Sequence, residues 1–445
     1  MNTNFNRRDF VKKSAWGAAT TMTIPAFLQQ SLFNLDARAQ SLPSPGQDGP
    51  ILVVVELGGG NDTLNTVVPY TNSVYQGARP SIALNETDDL LALGQASRIV
   101  GGTEQLSLHP TLSGLHTLWQ EEDLAIINGV GYPNPNLSHF TSFDYWRSAK
   151  PNNDSDDGWI GRYFSSQCSG CDATQAIEFA SRTSSAFGTT QGVSPSVSFE
   201  TPNGYGWRNL EVHGRDTPLE ELYRKLIGLD HLVDDGVDAS SESLSYVQRS
   251  THNAMISTRN VRDAIENGGD LQVEDWPNSG ISRDLQQVAQ LIRGGMGTSI
   301  YYVHQNGYDT HNNQEGRHFN LLSALNGSLD AFSREMKLAG LWDRVVILTF
   351  SEFGRKVIEN GSAGTDHGAA ESLFVMGGQV NGGQFFGQFP DLEEDARVKR
   401  HSLDYNVDFR AVYRSLLQNW MGVPASAMTE IFPTQPVNFD PIAFV

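Results

Sequence analysis

The chain has 445 residues, of which 39 % are hydrophobic, and it carries a formal net charge of −20. This length and composition predict a globular protein with a sizeable core, in one large domain or two to three smaller ones. An acidic surface repels nucleic acids and anionic lipids and suits cation binding, so a nucleic-acid-binding function is excluded.

The first 39 residues have the three regions of an export signal. They contain the twin-arginine segment "NRRDFVKK", the weakly apolar stretch "SAWGAATTMTIPAFL" and the small-residue cleavage site "ARA" before Gln40. We interpret residues 1–39 as a twin-arginine signal peptide and residues 40–50 as a linker. Removal of the signal takes away five basic and two acidic residues, which changes the net charge from −20 to −23.

The expected location is therefore the periplasm or the extracellular medium, and the twin-arginine export machinery is an expected partner. No later stretch reaches the roughly 18 consecutive apolar residues that span a bilayer, so we expect no stable membrane anchor.

The two cysteines form the motif "CSGC" at Cys168 and Cys171. In an oxidising compartment this spacing predicts a structural disulfide. The alternative is a thioredoxin-like redox site, which requires a strand before the pair and a helix after it.

The mature chain begins with the buried-strand pattern "ILVVVEL", which ends in the glycine turn "GGGNDTLN". An amphipathic helix around Leu115 then leads to the strand "LAIINGV". Ser138 or Thr141 is placed to cap the next helix. Residues 152–215 have no clear period and predict loops with short strands, and the pattern from Thr217 to about Asn267 is helical. Residues 152–270 therefore predict an irregular and helical insertion or cap.

Strands and helices then alternate to the end of the chain. The strands "TSIYYVHQ" and "RVVILTF" end in the turns "NGYDTHNNQ" and "SEFGR", and the loop "GTDHG", the strand "ESLFVMGGQV" and the helix "DFRAVYRSLLQNWMG" follow. This alternation predicts an α/β domain over residues 51–445, with a mostly parallel sheet and helices on both faces.

Acids and histidines recur where the predicted strands end. Ligands of parallel sheets bind beyond the carboxyl ends of the strands, and carboxylates with imidazoles bind divalent metals. Taken singly, each such motif is also compatible with simple turn chemistry. The predicted ligands are Asp62, Asp309, His311, Glu352, Asp366 and His367. Zinc, calcium, magnesium and manganese all stay open as the metal.

Two further residues have a possible catalytic role and a structural alternative. Arg355 is suited to clamp a phosphate, sulfate or carboxylate through two parallel hydrogen bonds, or to form a surface ion pair. Ser138 precedes His139 at a helix start, where backbone N–H groups favour an anion and an activated hydroxyl. Its alternative role is a helix cap.

The motifs as a set resemble the domain-of-unknown-function family 1501, a distant relative of the alkaline phosphatase and sulfatase superfamily. The segments that carry the resemblance are "ILVVVELGGGNDTLNTVVP", "LHPTLSGLHTLW", "GVGYPNPNLSHFTSFDYW", "GWIGRY", "GYDTHNNQ", "SEFGRKVIENGSAGTDHGAAESLFVMGG" and "DFRAVY". They extend from about Ile51 to Met421.

The resemblance implies an alkaline-phosphatase-like fold and a role for each motif. Asp62 matches the first acid, Ser138 or Thr141 the nucleophile, and Asp309 with His311 the later turn. Glu352 matches the acid of the next strand end, and Asp366 with His367 matches the last histidine. Phe353 stands where the superfamily has a histidine, and the spacing of residues 309 and 311 is shorter than usual. These departures imply that one metal site is altered or lost.

The leading functional prediction is an exported metal-dependent hydrolase that acts on a small-molecule or polymeric phosphate or sulfate ester. The alternative is a noncatalytic exported binding protein that keeps the fold, with or without one metal, and Phe353 favours it.

Overall fold

The computed structural model describes residues 49–99, 102–151, 156–168, 171–190, 195–202, 257–398, 401–436 and 439–445. The predicted signal peptide and most of the predicted linker lie outside these ranges. The same holds for residues 203–256, which make up much of the predicted insertion. No helix among the described residues combines the length and the apolar character needed to cross a membrane.

A large sheet of nine strands organises the described part of the chain. Its strands are β1 (Ile51–Gly58), β5 (Leu124–Gly131), β6 (Ala176–Glu178), β7 (Ser196–Ser198), β8 (Ile300–Asn306), β9 (Val345–Ser351), β12 (Glu371–Gly377), β13 (Gln384–Phe386) and β14 (Val407–Asp408). The order is β13-β5-β12-β9-β1-β8-β6-β7, and β14 also pairs with β5. All pairs are parallel except those of β12, which runs antiparallel to β5 and β9.

Strand β1 lies at the centre of this sheet because every one of its residues is apolar or buried. Its side chains alternate between the two faces: Val53 and Val55 join one hydrophobic cluster, whereas Leu52 and Val54 join the other. A strand with two buried faces carries the continuous apolar run that the sequence shows.

Helices cover both faces of the sheet. The longer ones are α2 (Ser113–Gln120), α3 (His139–Ser148), α4 (Trp159–Gln167), α5 (Gly280–Arg293) and α6 (Gln314–Leu338). Short helices are α1 (Ser73–Ala78), α7 (Phe409–Ser415), which continues as a π-helix over Leu416–Trp420, and α8 (Met428–Ile431), and residues 257–268 are also helical. Helices α2, α5 and α6 pack on the Val53 side, and α3, α4 and α7 pack on the Leu52 side.

Two small sheets flank the large one. One is a three-stranded sheet of β2 (Val67–Val68), β3 (Leu91–Ile99) and β4 (Gly102–Leu108), and the other is the hairpin of β10 (Arg355–Glu359) and β11 (Thr365–His367). Arg355 and His367 are paired residues on the two strands of this hairpin.

The predicted fold class, an α/β domain with a mostly parallel sheet and helices on both faces, is confirmed. Within the predicted insertion, the short strands β6 and β7 join the edge of the large sheet rather than a separate unit. The domain boundaries at residues 152 and 270 stay a prediction.

Candidate metal centre

Three histidines surround the carboxylate of Asp309, in the loop between β8 and α6. Its Oδ1 atom lies 3.0 Å from His311 Nε2 and 3.1 Å from His367 Nε2, and its Oδ2 atom lies 3.5 Å from His139 Nε2. The two atoms His311 Nε2 and His367 Nε2 are 2.9 Å apart. We call His139, Asp309, His311 and His367 the histidine cluster.

The histidine cluster forms where the ends of several elements meet. His139 is the first residue of α3, and His367 is the last residue of β11. The glycine turn after β1 packs directly against the Asp309 loop, because a side chain at Gly59 would lie 2.4 Å from the backbone nitrogen of Asp309. Gly59 also has a φ of 120°, which a residue with a side chain rarely adopts. The glycine turn therefore allows the close approach of the two loops.

Each imidazole of the cluster is anchored through its Nδ1 atom to an acceptor outside the cluster. His139 Nδ1 lies 2.5 Å from Glu352 Oε1, His311 Nδ1 lies 3.3 Å from Asp366 Oδ1, and His367 Nδ1 lies 2.8 Å from the Leu137 carbonyl oxygen. An Nδ1–H that donates to such an acceptor leaves Nε2 as the atom with a lone pair. All three Nε2 atoms then face Asp309.

This donor set fits a transition metal of the zinc type. Metal-bound histidines usually donate their other N–H to a carboxylate or a backbone carbonyl, as these three do. The Asp309 oxygens lie 3.0–3.5 Å from the three Nε2 atoms, and two of these Nε2 atoms are 2.9 Å apart. These separations are near the edge of about 3.3 Å that a tetrahedral site with zinc bonds to nitrogen and oxygen has. One ligand atom each from His139, Asp309 and His367 also lies within 4.8 Å of the others.

Neighbouring charged groups keep Asp309 and the adjacent Asp366 ionised. Burial, the largest influence, raises the pKa of Asp309, but hydrogen bonds to Arg355 and His367 outweigh it and lower the pKa to about 2. A hydrogen bond from Lys356 is the main cause that lowers the pKa of Asp366 to about 2. Burial lowers the pKa of His367, whereas the hydrogen bond to Glu352 raises the pKa of His139.

The cluster is open to solvent on one side. The Asp309 side chain is 46 % exposed, and the side chains of His139 and His367 are 28 % and 20 % exposed. A soluble ligand can therefore reach the atoms that face Asp309.

Asp62, the first predicted acid, lies in a different environment from the histidine cluster. Its buried carboxylate accepts two hydrogen bonds from Arg79, at 2.6 and 2.9 Å, and a third from Gln314. The Asp62 side chain is 0 % exposed, and these donors engage its carboxylate. Its role as a metal ligand stays a prediction.

Arg355 also differs from its predicted role as an ester clamp. Its side chain is 0 % exposed and donates hydrogen bonds to the carbonyl oxygens of Gly59, Gly60, Tyr308 and Thr365. It also lies 2.9 Å from Asp309 Oδ1. A buried guanidinium cannot contact a soluble ester, so Arg355 joins the loops that carry the cluster.

Glu352 and Asp366 lie beside the cluster, behind the histidines that they contact. The hydroxyl of Ser138, at the N-cap of α3, makes no capping hydrogen bond, and Ser138 is exposed. Thr141 lies in the first turn of the same helix and is half-buried. Both predicted nucleophiles therefore share a helix start with His139, and their attacking role stays a prediction.

Sequence reasoning did not identify His139 as part of the site, nor Phe353 as its support. Phe353 is buried and packs its ring against His139 and His367, with centroids 5.0 and 4.7 Å apart. A feature of the sequence that indicated His139 is its place directly after the capping position in "NLSHF", between β5 and α3.

Cys168 and Cys171 form a disulfide. Cys168 is the C-cap of α4, so the pair follows a helix instead of preceding one. The negative end of the helix dipole disfavours a thiolate, whereas redox cysteines use the positive end. This position favours the structural disulfide over the redox alternative.

Comparisons with known structures give low-similarity matches. The lipoteichoic acid synthase LtaP from Listeria monocytogenes is 10 % identical with a TM-score of 0.33, over 91 % of this chain and 80 % of that one. A protein in the alkaline phosphatase superfamily from Vibrio parahaemolyticus is 10 % identical with a TM-score of 0.35, over 92 % and 78 %. The phosphonate monoester hydrolase of Agrobacterium radiobacter is 9 % identical with a TM-score of 0.29, over 88 % and 78 %.

No curated protein matches the chain. The profile of the family described as "Protein of unknown function (DUF1501)" matches residues 50–431, which is most of the sequence. The chain therefore belongs to the DUF1501 family.

Proposed function

We propose that this protein is an exported metal-dependent hydrolase of a phosphate or sulfate ester. The observation that carries the proposal is the arrangement of the three imidazoles, each anchored at Nδ1 and directed with Nε2 toward Asp309. Three nitrogens and one carboxylate suit zinc or a similar metal better than calcium or magnesium, which prefer oxygen ligands.

His139, Asp309, His311 and His367 would hold the metal. When bound, it would supply Lewis-acid stabilisation of the charge that develops on the ester. The open side of the cluster, where Asp309 is 46 % exposed, supports access for a substrate.

The chain supplies the other groups that an ester hydrolase needs. Ser138 offers an exposed hydroxyl next to His139, and the backbone N–H groups of the first turn of α3 favour negative charge there. Because Arg355 is buried, the cation that we assign to the ester oxygens is Lys356. Its ammonium lies 2.9 Å from Asp366, and its side chain is 19 % exposed.

The second candidate is an exported binding protein that keeps the fold, with or without one metal, and performs no turnover. The ion pair of Asp62 with Arg79 favours this candidate, because it engages the carboxylate of one predicted acid. Phe353 favours it as well, because it supports the histidines by packing and supplies no ligand atom.

The test is metal analysis of the mature protein isolated after export, followed by a screen of aryl phosphate and aryl sulfate esters with zinc, manganese, magnesium and calcium. The variants are Asp309→Asn and His367→Ala. The control is His116→Ala, because His116 lies on α2 and its Nε2 contacts the backbone of Ala92 instead of the cluster.

The hydrolase predicts one metal per chain in the wild type and in the control, loss of the metal in both cluster variants, and metal-dependent turnover. Stoichiometric metal without turnover of any ester would select the binding protein. Absence of metal from the wild type would contradict the hydrolase and leave a binding protein without a metal.

A further inference from the structure

We propose that Glu352 is a positioning residue that holds His139 in the orientation and tautomer directing its Nε2 atom toward the metal. This inference rests on the proposed metal site and deepens it. It differs from the sequence-based expectation, in which Glu352 binds the metal itself.

The carboxylate of Glu352 is already surrounded by hydrogen-bond donors. Its Oε1 atom accepts from the Gly59 backbone N–H at 3.0 Å and faces His139 Nδ1 at 2.5 Å. Its Oε2 atom accepts from the Gly60 N–H at 3.1 Å. The Ser351 hydroxyl lies 3.0 Å from Oε2, but its single proton has a closer acceptor in the Leu57 carbonyl oxygen, at 2.6 Å. Three N–H groups thus engage both oxygens of the carboxylate. The side chain is also 0 % exposed.

Both nitrogens of His139 face carboxylate oxygens, but at different distances. Nδ1 lies 2.5 Å from Glu352 Oε1, whereas Nε2 lies 3.5 Å from Asp309 Oδ2. The shorter contact is the hydrogen bond, so in the neutral ring the proton belongs to Nδ1 and Nε2 keeps its lone pair toward the cluster. The rotation of the ring is fixed at the same time, because Phe353 packs against one side of it.

Glu352 is itself fixed by the glycine turn after β1. The N–H groups of Gly59 and Gly60 reach it only because this turn approaches closely, and Gly60 has a φ of 80°. The first strand of the sheet is thereby connected to His139, although it contributes no ligand. A role of this kind predicts a graded loss of metal affinity when Glu352 is changed, because carboxylates behind ligand histidines usually contribute about 10- to 100-fold.

The experiment compares Glu352→Gln with Glu335→Gln in the mature full-length protein. Glu335 is a matched control, since it is equally buried and accepts two backbone N–H groups, from Gln272 and Val273, and a hydrogen bond from Arg293. It lies on α6, away from the cluster histidines. Zinc affinity is measured by competition with a chelator, and folding of each variant is checked by thermal unfolding.

The expected result is about 10- to 100-fold weaker zinc binding in Glu352→Gln at an unchanged stoichiometry of one, with the control unchanged. Unchanged affinity would assign Glu352 a purely structural role and overturn the inference. Complete loss of stoichiometric zinc from a folded Glu352→Gln variant would identify Glu352 as a ligand and overturn it too.

A second measurement does not depend on a variant that folds. The nitrogen-15 chemical shifts of His139 in the metal-free wild type, at a pH where the ring is neutral, report its tautomer. Protonation at Nδ1 is expected, and protonation at Nε2 would contradict the inference. Neither measurement uses ester turnover, so an inactive protein that passes both would refute the hydrolase while leaving the role of Glu352 intact.

Discussion

The ring of Phe353 packs against the imidazole of His367, with their centroids 4.7 Å apart. It also contacts His139, and its side chain is buried. An aromatic ring thus supports two cluster histidines at the position where the superfamily resemblance implies a histidine. At this position the chain therefore has an aromatic packing contact and no metal-ligand atom.

Replacement of Phe353 by Ala should therefore affect both stability and metal binding. Loss of a buried phenylalanine costs about 3–5 kcal/mol, and the two unsupported imidazoles should bind zinc more weakly. Urea unfolding and zinc titration measure the two effects. Phe353→Leu is the control, because it restores most of the volume and should lose less of each. Equal zinc affinity in the Ala variant and the wild type would show that the packing does not hold the ligands.

The ion pair of Asp62 with Arg79 gives a second prediction. Both side chains are 0 % exposed, so Arg79→Met leaves a buried carboxylate without its cation and should destabilise the fold by about 3–5 kcal/mol. The double variant Asp62→Leu and Arg79→Met removes both charges and should recover part of this loss. The measurement is the free energy of unfolding in urea. A double variant that is less stable than Arg79→Met would contradict the explanation.

A buried network around His304 predicts how stability depends on pH. Burial lowers the pKa of His304, but hydrogen bonds to Glu178 and Glu56 outweigh it and raise the pKa from 6.5 to about 9. Burial likewise raises the pKa of Glu56, but Arg147 and His304 outweigh it and lower the pKa from 4.5 to about 2. Further groups that face this network include Tyr302, which donates to Glu56, Tyr413 and Asp284.

The two shifts act on opposite sides of neutrality. The contribution of His304 is complete below pH 6.5 and is lost as the pH rises through about 9, because its folded pKa is the higher one. The contribution of Glu56 is complete above pH 4.5 and is lost as the pH falls toward 2. Thermal unfolding from pH 3 to pH 10 should show both declines, and His304→Gln should flatten the alkaline one. An unaltered alkaline decline in that variant would contradict the assignment.

Replacement of the buried Glu371 should stabilise the fold. It is buried, and burial raises its pKa well above the ordinary value, with Glu352 adding repulsion. Both of its oxygens lie within 3.1 Å of the Ser351 backbone nitrogen, a hydrogen bond that an amide oxygen preserves. The neutral form is favoured in the folded state, so the energetic penalty grows as the pH rises above the ordinary value of 4.5. Glu371→Gln should thus have a higher Tm than the wild type at pH 8 and no advantage at pH 4. A lower Tm at pH 8 would contradict this prediction.

Much of the fold was predictable because the strand signals are strong. The run "ILVVVEL" is apolar except for Glu56 because β1 is buried on both faces, and the apolar centre of "RVVILTF" has the same cause. The antiparallel direction of β12 was not predictable, since a short apolar run gives no information about its neighbours. Strands β6 and β7 have only three residues each, too few for a period to appear.

The site was predictable where its residues lie close together in sequence. Asp309 and His311 share one turn, and Asp366 and His367 share one strand, so strand-end positions indicated all four. His139 belongs to the start of a helix far earlier in the chain, and only the folded structure brings it to Asp309. The position of Asp62 depends on its pairing with Arg79, and the location of Arg355 depends on three backbone carbonyls from other segments. Such long-range pairings leave no pattern in the local sequence.

The contacts of Arg355 also determine when the centre can form during synthesis of the chain. This one side chain joins the turn after β1, the loop after β8 and its own hairpin. A nascent chain that ends before residue 355 has the first two segments, joined by hydrogen bonds from the Gly307 and Tyr308 N–H groups to the Gly58 carbonyl, but it lacks this guanidinium and His367. Chains fold from the N-terminus as they emerge from the ribosome, so the sheet can begin to assemble before the hairpin exists. The four side chains of the histidine cluster therefore come together only in a nearly completed polypeptide.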